Sequence, residues 1–123
     1  MKKFKYLSVL FLLFILFFLS CNFEPECNQL RNFSSFRQAV VNVEHAKFNL
    51  KDEIYTPDTS WIKDISYYSC DGKVGYLIYK AKGKVYIHYK VPIGIWRKFK
   101  RAKSIGRYYN KHIKKKYRLK LSK

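Results

Sequence analysis

The chain has 123 residues and a formal net charge of +18, with 26 Lys and Arg against eight Asp and Glu. It is 48% hydrophobic and 19% aromatic, which excludes an intrinsically disordered basic tail and predicts one small folded domain. All the acidic residues lie at or before Asp71, whereas eighteen bases lie between Lys73 and Lys123, so we expect an anionic partner.

The first 20 residues have the pattern of an export signal. Three lysines precede the apolar run Tyr6–Leu19, which a small residue and a cysteine follow. As a helix this run would span roughly 20 Å, short of the roughly 30 Å hydrocarbon core of a bilayer. We therefore predict a signal peptide over residues 1–20 rather than a stable transmembrane helix.

The end of this leader, Phe18-Leu19-Ser20-Cys21, resembles the lipobox of bacterial lipoproteins. Phe18 stands where that family usually has an aliphatic residue. The resemblance implies that Cys21 receives diacylglycerol and becomes the mature N-terminus. An uncleaved single anchor is the alternative, and both place the remaining chain in the cell envelope, on the periplasmic or surface side. Asn22 is not the aspartate that retains lipoproteins in the inner membrane, so the resemblance also allows a location in the outer membrane.

Two further cysteines, Cys27 and Cys70, belong to a chain that we expect in an oxidising compartment. They are either paired or free thiols, because the sequence does not show whether the two sulfur atoms meet. A disulfide would stabilise the fold by about 3 to 4 kcal/mol in the chain-entropy model. A metal site is not predicted, because there is no Cys-x-x-Cys pair and the histidines are scattered.

Residues 21–59 are predicted to form a tether and an accessory element. Glu24-Pro25-Glu26 suits an extended exit from a membrane surface. Ser34 or Ser35 could cap a helix over about residues 35–48. Its apolar stripe would consist of Phe36, Ala39, Val40, Val43 and either Ala46 or Lys47. Part of the same run is also compatible with a short strand.

Residues 60–119 have the pattern of an antiparallel meander followed by two helices. Strands are predicted over residues 61–69, 74–80 and 84–90, separated by the turn signals Asp71-Gly72 and Lys82-Gly83. The predicted fold class is α+β, in the order β-β-β-α-α, with a basic tail at residues 120–123.

The two predicted helices begin at recognisable residues. Pro92 fits the first turn of one helix, whose apolar side would consist of Ile95, Trp96, Phe99 and Ala102. Ser104 can cap the second helical segment, where Tyr109, Ile113 and Tyr117 recur every four residues.

Several motifs of this segment, taken in order, resemble the KTSC domain, a family named after the C-terminus of some lysyl-tRNA synthetases. The residues that match are Ser60, Ile62, Ile65, Tyr67, Val85, Tyr86, Val91, Pro92, Ala102, Ser104, Gly106, Tyr108, Tyr109, Asn110, Ile113 and Tyr117. The resemblance covers roughly residues 60–119 and implies a small sheet-plus-helix module for which RNA binding has been suggested. The central Tyr-x-Tyr of the family corresponds to Tyr86-Ile87-His88, so His88 replaces the second tyrosine.

Side chains alternate along the third predicted strand between two faces. One face would contain Lys84, Tyr86, His88 and Lys90, extended by Tyr76 and Lys80 of the neighbouring strand. The other, Val85, Ile87, Tyr89 and Val91, is expected in the core. The first face would then be a basic surface with aromatic planes, on which a base could stack. Alternatively, a helix covers Tyr86 and lysine stems lie over it.

The two predicted helices are strongly basic and have no acid at helical spacing to neutralise them. Besides Lys84 and Lys90, the bases that we assign to an anionic ligand are Arg97, Lys98, Arg101, Arg107, Lys111, Lys114 and Lys115. A solvated face is the ordinary explanation of a charge run, but such a face normally mixes signs. An anionic phospholipid, an envelope polymer or an acidic protein would each fit, and nucleic acid is the alternative.

Catalysis is not predicted, and neither is a cofactor. Ser104 and Gly106 superficially resemble a nucleophile elbow, but no acid follows them in the chain. We interpret Ser104 as a helix cap and Gly106 as a close-packing position. A pair formed by Cys70 and His88 would have no identifiable orienting group. The sequence therefore predicts a membrane-anchored binding module.

Overall fold

The computed structural model describes residues 3–19 and 23–122. The helices in this part of the chain are α1 (Lys3–Leu19), α2 (Phe36–His45), α3 (Ile93–Arg101) and α4 (Ile105–His112). The strands are β1 (Leu50–Ile54), β2 (Ile62–Ser69), β3 (Val74–Ala81) and β4 (Lys84–Pro92), and they form an antiparallel sheet in chain order. A short 3-10 helix, Cys27–Gln29, precedes α2. The α+β class is confirmed.

Strand β1 is an addition to the predicted three-stranded meander. It pairs with β2 so that Leu50 lies opposite Ser69 and Ile54 opposite Ile65. Its three central residues are charged, and within β1 only Ile54 is buried. The sequence pattern therefore does not resemble a core strand, but charged side chains are well suited to the edge of a sheet, where they oppose pairing with another chain.

Both faces of the sheet are buried. One face lies under α3 and α4, and we call it the helix-pair face; its core comprises Ile54, Ile62, Ile65, Tyr67, Leu77, Tyr79, Val91, Trp96, Phe99, Tyr109 and Ile113. The other lies under α2, and we call it the α2 face; its core comprises Phe33, Ala39, Val43, Tyr68, Tyr76, Ile78, Ile87 and Leu119. The predicted basic face of β4 is therefore covered only in part: His88 is buried, whereas Lys84, Tyr86 and Lys90 are exposed. Val85, which was expected in the core, is exposed as well.

Strand β4 changes its alternation at Lys90. Lys90 has a φ of 56°, and β4 has one residue more than β3 between the pairs Gly75↔Val91 and Leu77↔His88. As a result Val91 lies in the core of the helix-pair face, whereas Ile87 lies in that of the α2 face. The predicted strict alternation fails here because a β-bulge adds one residue to the ladder and reverses the faces beyond it.

The hairpin between β3 and β4 turns at Lys82 and Gly83. Both residues have positive φ, 52° and 73°. A two-residue type I′ turn requires this conformation at both central positions, and glycine adopts it without steric strain. The turn holds Lys82 at the end of the sheet where β2 begins.

From Pro25 onward, the predicted tether is part of the folded domain. Cys27 and Cys70 form a disulfide with Cα atoms 5.7 Å apart, which joins this segment to the turn after β2. The N–H of Cys27 donates to the carbonyl of Lys47 (3.1 Å), and the N–H of Lys47 donates to that of Pro25 (2.9 Å). Farther along, Phe33 is buried in the core of the α2 face.

The end of the chain is also attached to the domain. Helix α4 ends at His112, so Tyr117 lies beyond the helix in which the spacing had placed it. Leu119 is buried on the α2 face, and the N–H of Ser122 donates to the carbonyl of Phe33 (2.9 Å). The predicted free basic tail is therefore docked as far as Ser122.

Helix α1 contributes no described side chain to either core. Its side chains from Lys5 to Leu16 are exposed. Within residues 3–19 and 23–122, no helix combines the length and the apolarity that a membrane span needs. Cys21 lies outside the described residues, so its lipidation stays a prediction.

Reduction of the disulfide should lower the free energy of unfolding by about 4 kcal/mol, because Cys27 and Cys70 close a loop with a sequence separation of 43 residues. Urea denaturation with and without a thiol reductant measures the effect. The double variant Cys27→Ser, Cys70→Ser should be as unstable as the reduced protein and insensitive to reductant. Equal stability of the oxidised and reduced protein would contradict this prediction.

Candidate ligand pocket

A cavity of about 590 Å³ opens at the end of the sheet where β3 turns into β4, and residues of both cores line it. Trp61 and Tyr86 line it and remain 47% and 41% exposed. Three buried polar aromatic side chains, Tyr79, His88 and Tyr109, form its floor. We call this cavity the Tyr86 pocket.

The ring of Tyr86 is supported from the sheet side. Tyr86 pairs with Tyr79 across β3 and β4, and the two rings stack with centroids 5.1 Å apart and 14° between their planes. Tyr79 also stacks on His88, with centroids 5.8 Å apart. Cross-strand aromatic pairs of this kind stabilise a sheet and restrict their side chains. Stacking therefore restricts the orientation of the Tyr86 ring, and part of the ring is exposed to the pocket.

A chain of hydrogen bonds runs along the pocket floor. The Nδ1 of His88 lies 3.0 Å from the carbonyl oxygen of Tyr117, which can only accept, so Nδ1 carries the proton. The Nε2 of His88 then accepts from the hydroxyl of Tyr109 at 3.1 Å. Tyr109 in turn accepts a hydrogen bond from the hydroxyl of Tyr79. Each proton in this row of hydrogen bonds thus has a defined acceptor.

The charge states along this floor follow from burial. Burial lowers the pKa of His88 below its ordinary value of 6.5; the hydrogen bond to Tyr117 raises it, and the charge of Arg118 lowers it again. Burial also raises the pKa of Tyr79 and that of Tyr109. At neutral pH the floor is therefore an uncharged network of one imidazole and two phenols.

Gly106 determines the position of Trp61. A Cβ atom at Gly106 would lie 2.3 Å from the Nε1 of Trp61, so the indole packs against α4 only because this residue has no side chain. The same indole meets the edge of the Tyr109 ring, with centroids 5.9 Å apart and an angle of 70°. The glycine of the sequence motif thus explains how an exposed tryptophan is held at the pocket mouth.

Three cations line the pocket from separate parts of the chain: Lys82 in the hairpin, Lys114 after α4, and Arg118 in the C-terminal segment. Arg118 is placed by backbone pairing with His88 and by the hydrogen bond from the N–H of Tyr89 to the carbonyl of Tyr117 (3.1 Å). None of the described residues that line the pocket is acidic. The electrostatic environment of its mouth therefore favours an anion.

The predicted ligand residues are not gathered in one place. Tyr86 and Lys114 line the pocket, and His88 is in its floor rather than on a surface. The other predicted bases are exposed and do not line it: Lys84, Lys90, Arg97, Lys98, Arg101, Arg107, Lys111 and Lys115. Tyr76 is buried on the α2 face.

Most of the predicted motif residues are buried in the core or form local hydrogen bonds. Ile62, Tyr109 and Ile113 are buried in the helix-pair core, and Asn110 lines the pocket. Three others form hydrogen bonds: the Ser60 hydroxyl donates to the carbonyl of Ile62, the Ser104 hydroxyl accepts from the N–H of Arg107, and the Tyr108 hydroxyl donates to the carbonyl of Ile95. Pro92 immediately precedes α3.

Trp61, Lys82 and Arg118 were not predicted as pocket residues. Their signals were present but indirect, since Trp61 precedes the first motif strand and Lys82 lies in a turn. Asp52 was missed as well: its carboxylate accepts hydrogen bonds from the Trp96 indole (2.9 Å) and from Lys100 (2.7 Å). Burial raises the pKa of Asp52, but these hydrogen bonds outweigh burial and lower it. Asp52 thereby fastens β1 to α3.

Comparison with known proteins gives one family match. Residues 62–117 match the KTSC domain. No curated protein and no solved structure matches the chain significantly. The matched range includes the pocket floor, Tyr86, Lys82 and Lys114, whereas Trp61 and Arg118 flank it on either side.

The free energy of unfolding should fall as the pH drops from about 7 to about 5. The unfolded chain takes up a proton at His88 near the ordinary pKa of 6.5, whereas the folded chain does so only at lower pH. The unfolded state thus binds more protons, and stability should decrease by at most about 1.4 kcal/mol per pH unit.

Urea denaturation across this pH range measures the slope. The variant His88→Gln should flatten it, whereas the exposed control His45→Gln should retain it. If the free energy of unfolding depends on pH equally in His88→Gln and in the unchanged protein, the pH dependence does not come from His88.

Proposed function

Since residues 62–117 form a KTSC domain, we propose that the protein is a membrane-anchored envelope lipoprotein whose domain binds an anionic partner. The observation that supports this function is the distribution of charge along the chain. All eight acids precede β3, whereas eighteen of the 26 bases lie between Lys73 and Lys123. We infer that this part of the domain forms one strongly positive side, which we call the basic side.

Little of this positive charge is neutralised inside the domain. Among the described bases that follow Asp71, only Lys80 and Lys100 lie within ion-pair distance of a carboxylate, that of Asp64 and that of Asp52. Both ion pairs are solvent-accessible and contribute little to stability. The other bases are available to phosphate or carboxylate groups of a partner.

The disulfide supports a location close to the membrane. Cys21 and the disulfide-bonded Cys27 are six residues apart, so the connection between them can extend at most about 20 Å. A lipid on Cys21 would therefore keep the basic side at high local concentration near anionic headgroups or other envelope anions. Anionic phospholipid, an acidic envelope polymer and an acidic protein are the partners that fit.

Fractionation of cells and mass spectrometry of the N-terminal peptide should find acylated Cys21 in the membrane fraction. Unmodified protein in the cytoplasm would contradict the proposed function.

Residues 23–123 should bind vesicles that contain phosphatidylglycerol and should lose affinity as salt increases. Replacing the exposed Arg97, Lys98 and Arg101 of α3 by Gln should weaken binding by on the order of a hundredfold, since each base near an anionic surface contributes about 1 kcal/mol. Replacement of Arg31, Arg37 and Lys47 by Gln removes the same charge elsewhere and should have a smaller effect. Vesicle co-sedimentation measures the affinity of both triple variants. Equal losses of affinity would contradict binding through the basic side.

A second candidate function is binding of single-stranded nucleic acid. The observation that favours it is the partly exposed ring of Tyr86 beside Lys82, since a base can stack on such a ring while lysine contacts phosphate. Tyr86→Ala should then weaken binding of a single-stranded RNA by about fivefold or more in fluorescence anisotropy. The matched control is Tyr55→Ala, which removes a tyrosine that is 93% exposed. Equal affinities of the two variants would argue against this function.

A further inference from the structure

We propose that the Tyr86 pocket is a binding site for a small planar aromatic group that carries a negative charge. This inference rests on the proposed function, an anionic partner, and specifies the chemistry of the ligand at this one site. It distinguishes the pocket from the other positive surface of the domain, where charge alone would act.

The aromatic walls of the pocket are held before a ligand arrives. Stacking on Tyr79 orients Tyr86, and contact with Gly106 and with the edge of Tyr109 orients Trp61. Yet both side chains remain more than 40% exposed. Exposed aromatic planes that are already ordered bind a flat ligand at a low entropic cost.

The floor and the mouth of the pocket have different chemistry. In the floor, the hydrogen bonds of Tyr79, Tyr109 and His88 are directed to one another and to the Tyr117 carbonyl, and the groups are uncharged. At the mouth, Lys82, Lys114 and Arg118 supply positive charge. A ligand should therefore place its ring toward the aromatic interior and its carboxylate or phosphate toward these cations, where Arg118 can form a paired hydrogen bond.

The size and position of the pocket favour a small molecule. A volume of about 590 Å³ lies within the range of roughly 300 to 1,000 Å³ that is usual for ligand sites. Trp61 and Cys70 lie at opposite ends of β2, whose eight residues span roughly 26 Å. The pocket mouth is thus far from the point where the N-terminal segment is fastened, which argues against the anchoring bilayer as its occupant.

Residues 23–123 provide the material for a test, because both cores consist of described residues within this range. The probe is 2-naphthoate, with cyclohexanecarboxylate as an anion without a flat ring and 2-naphthylmethanol as a flat ring without charge. Isothermal titration calorimetry should show 2-naphthoate binding at least about fivefold more tightly than either control compound. Equal affinity for 2-naphthoate and cyclohexanecarboxylate would overturn the proposal.

Variants locate the bound probe. Tyr86→Ala and Arg118→Gln should each weaken 2-naphthoate binding by about fivefold or more, whereas Tyr86→Phe should retain it because the ring remains. Tyr55→Ala and Arg97→Gln remove an exposed tyrosine and an exposed arginine away from the pocket and should have no effect. Equal weakening by the pocket variants and these controls would overturn the proposal.

Vesicle binding separates this inference from the proposed function. If Tyr86→Ala weakens 2-naphthoate binding and leaves phosphatidylglycerol vesicle binding intact, the pocket and the basic side act as distinct sites, as we infer. If 2-naphthoate fails to bind while vesicles still bind in a salt-dependent manner, the pocket proposal is wrong and the proposed function stands. If 2-naphthoate binds at the pocket and vesicles do not bind, the pocket proposal stands and the membrane-surface partner is wrong.

Discussion

The hydrogen bonds of His88 hold the C-terminal part of the domain to the sheet. Its Nδ1 binds the carbonyl of Tyr117 at 3.0 Å, and its Nε2 binds the hydroxyl of Tyr109 at 3.1 Å. Because this imidazole is buried, loss of either partner would leave a polar group unsatisfied in the interior, which costs about 1 to 3 kcal/mol. Movement of α4 or of the segment after it would therefore break a contact with β4. One buried side chain thus links β4, α4 and this segment, beside the backbone hydrogen bond from Tyr89 to Tyr117 and the burial of Leu119.

This arrangement also explains why the pocket has an uncharged floor and a charged mouth. The polar atoms of the floor are engaged with one another, so they hold the structure together rather than a ligand. Trp61, Tyr86 and Arg118 are placed by contacts with that network or with the helix that it fixes. A ligand would therefore contact the exposed aromatic rings and the flexible cationic side chains. A domain can in this way combine general attraction of anions with one site of defined shape.

The N-terminal segment has a different part in the structure. The disulfide between Cys27 and Cys70 and the burial of Phe33 add a second cover to the sheet, on its α2 face. Although both faces are covered, Trp61, just before β2, and Tyr86, near the start of β4, keep partly exposed aromatic rings, and the exposed Phe36 of α2 lines the same pocket. In the proposed lipoprotein, the same disulfide leaves a short link to the lipid. The fastening of the N-terminus and the ligand pocket therefore lie at opposite ends of β2.

Local sequence determined the elements that depend on local chemistry. The turn residues Asp71-Gly72 and Lys82-Gly83 predicted both hairpins, Ser104 and Pro92 predicted where helices begin, and ordered motifs indicated the KTSC domain. Only the tertiary structure decided the rest. The charged β1 forms by pairing with β2, and its Asp52 meets Trp96 and Lys100, 44 and 48 residues away. The bulge at Lys90 reverses a face that simple alternation cannot anticipate. His88 is buried, and Trp61 and Arg118 line one pocket, because tertiary packing brings together residues that are far apart in the chain.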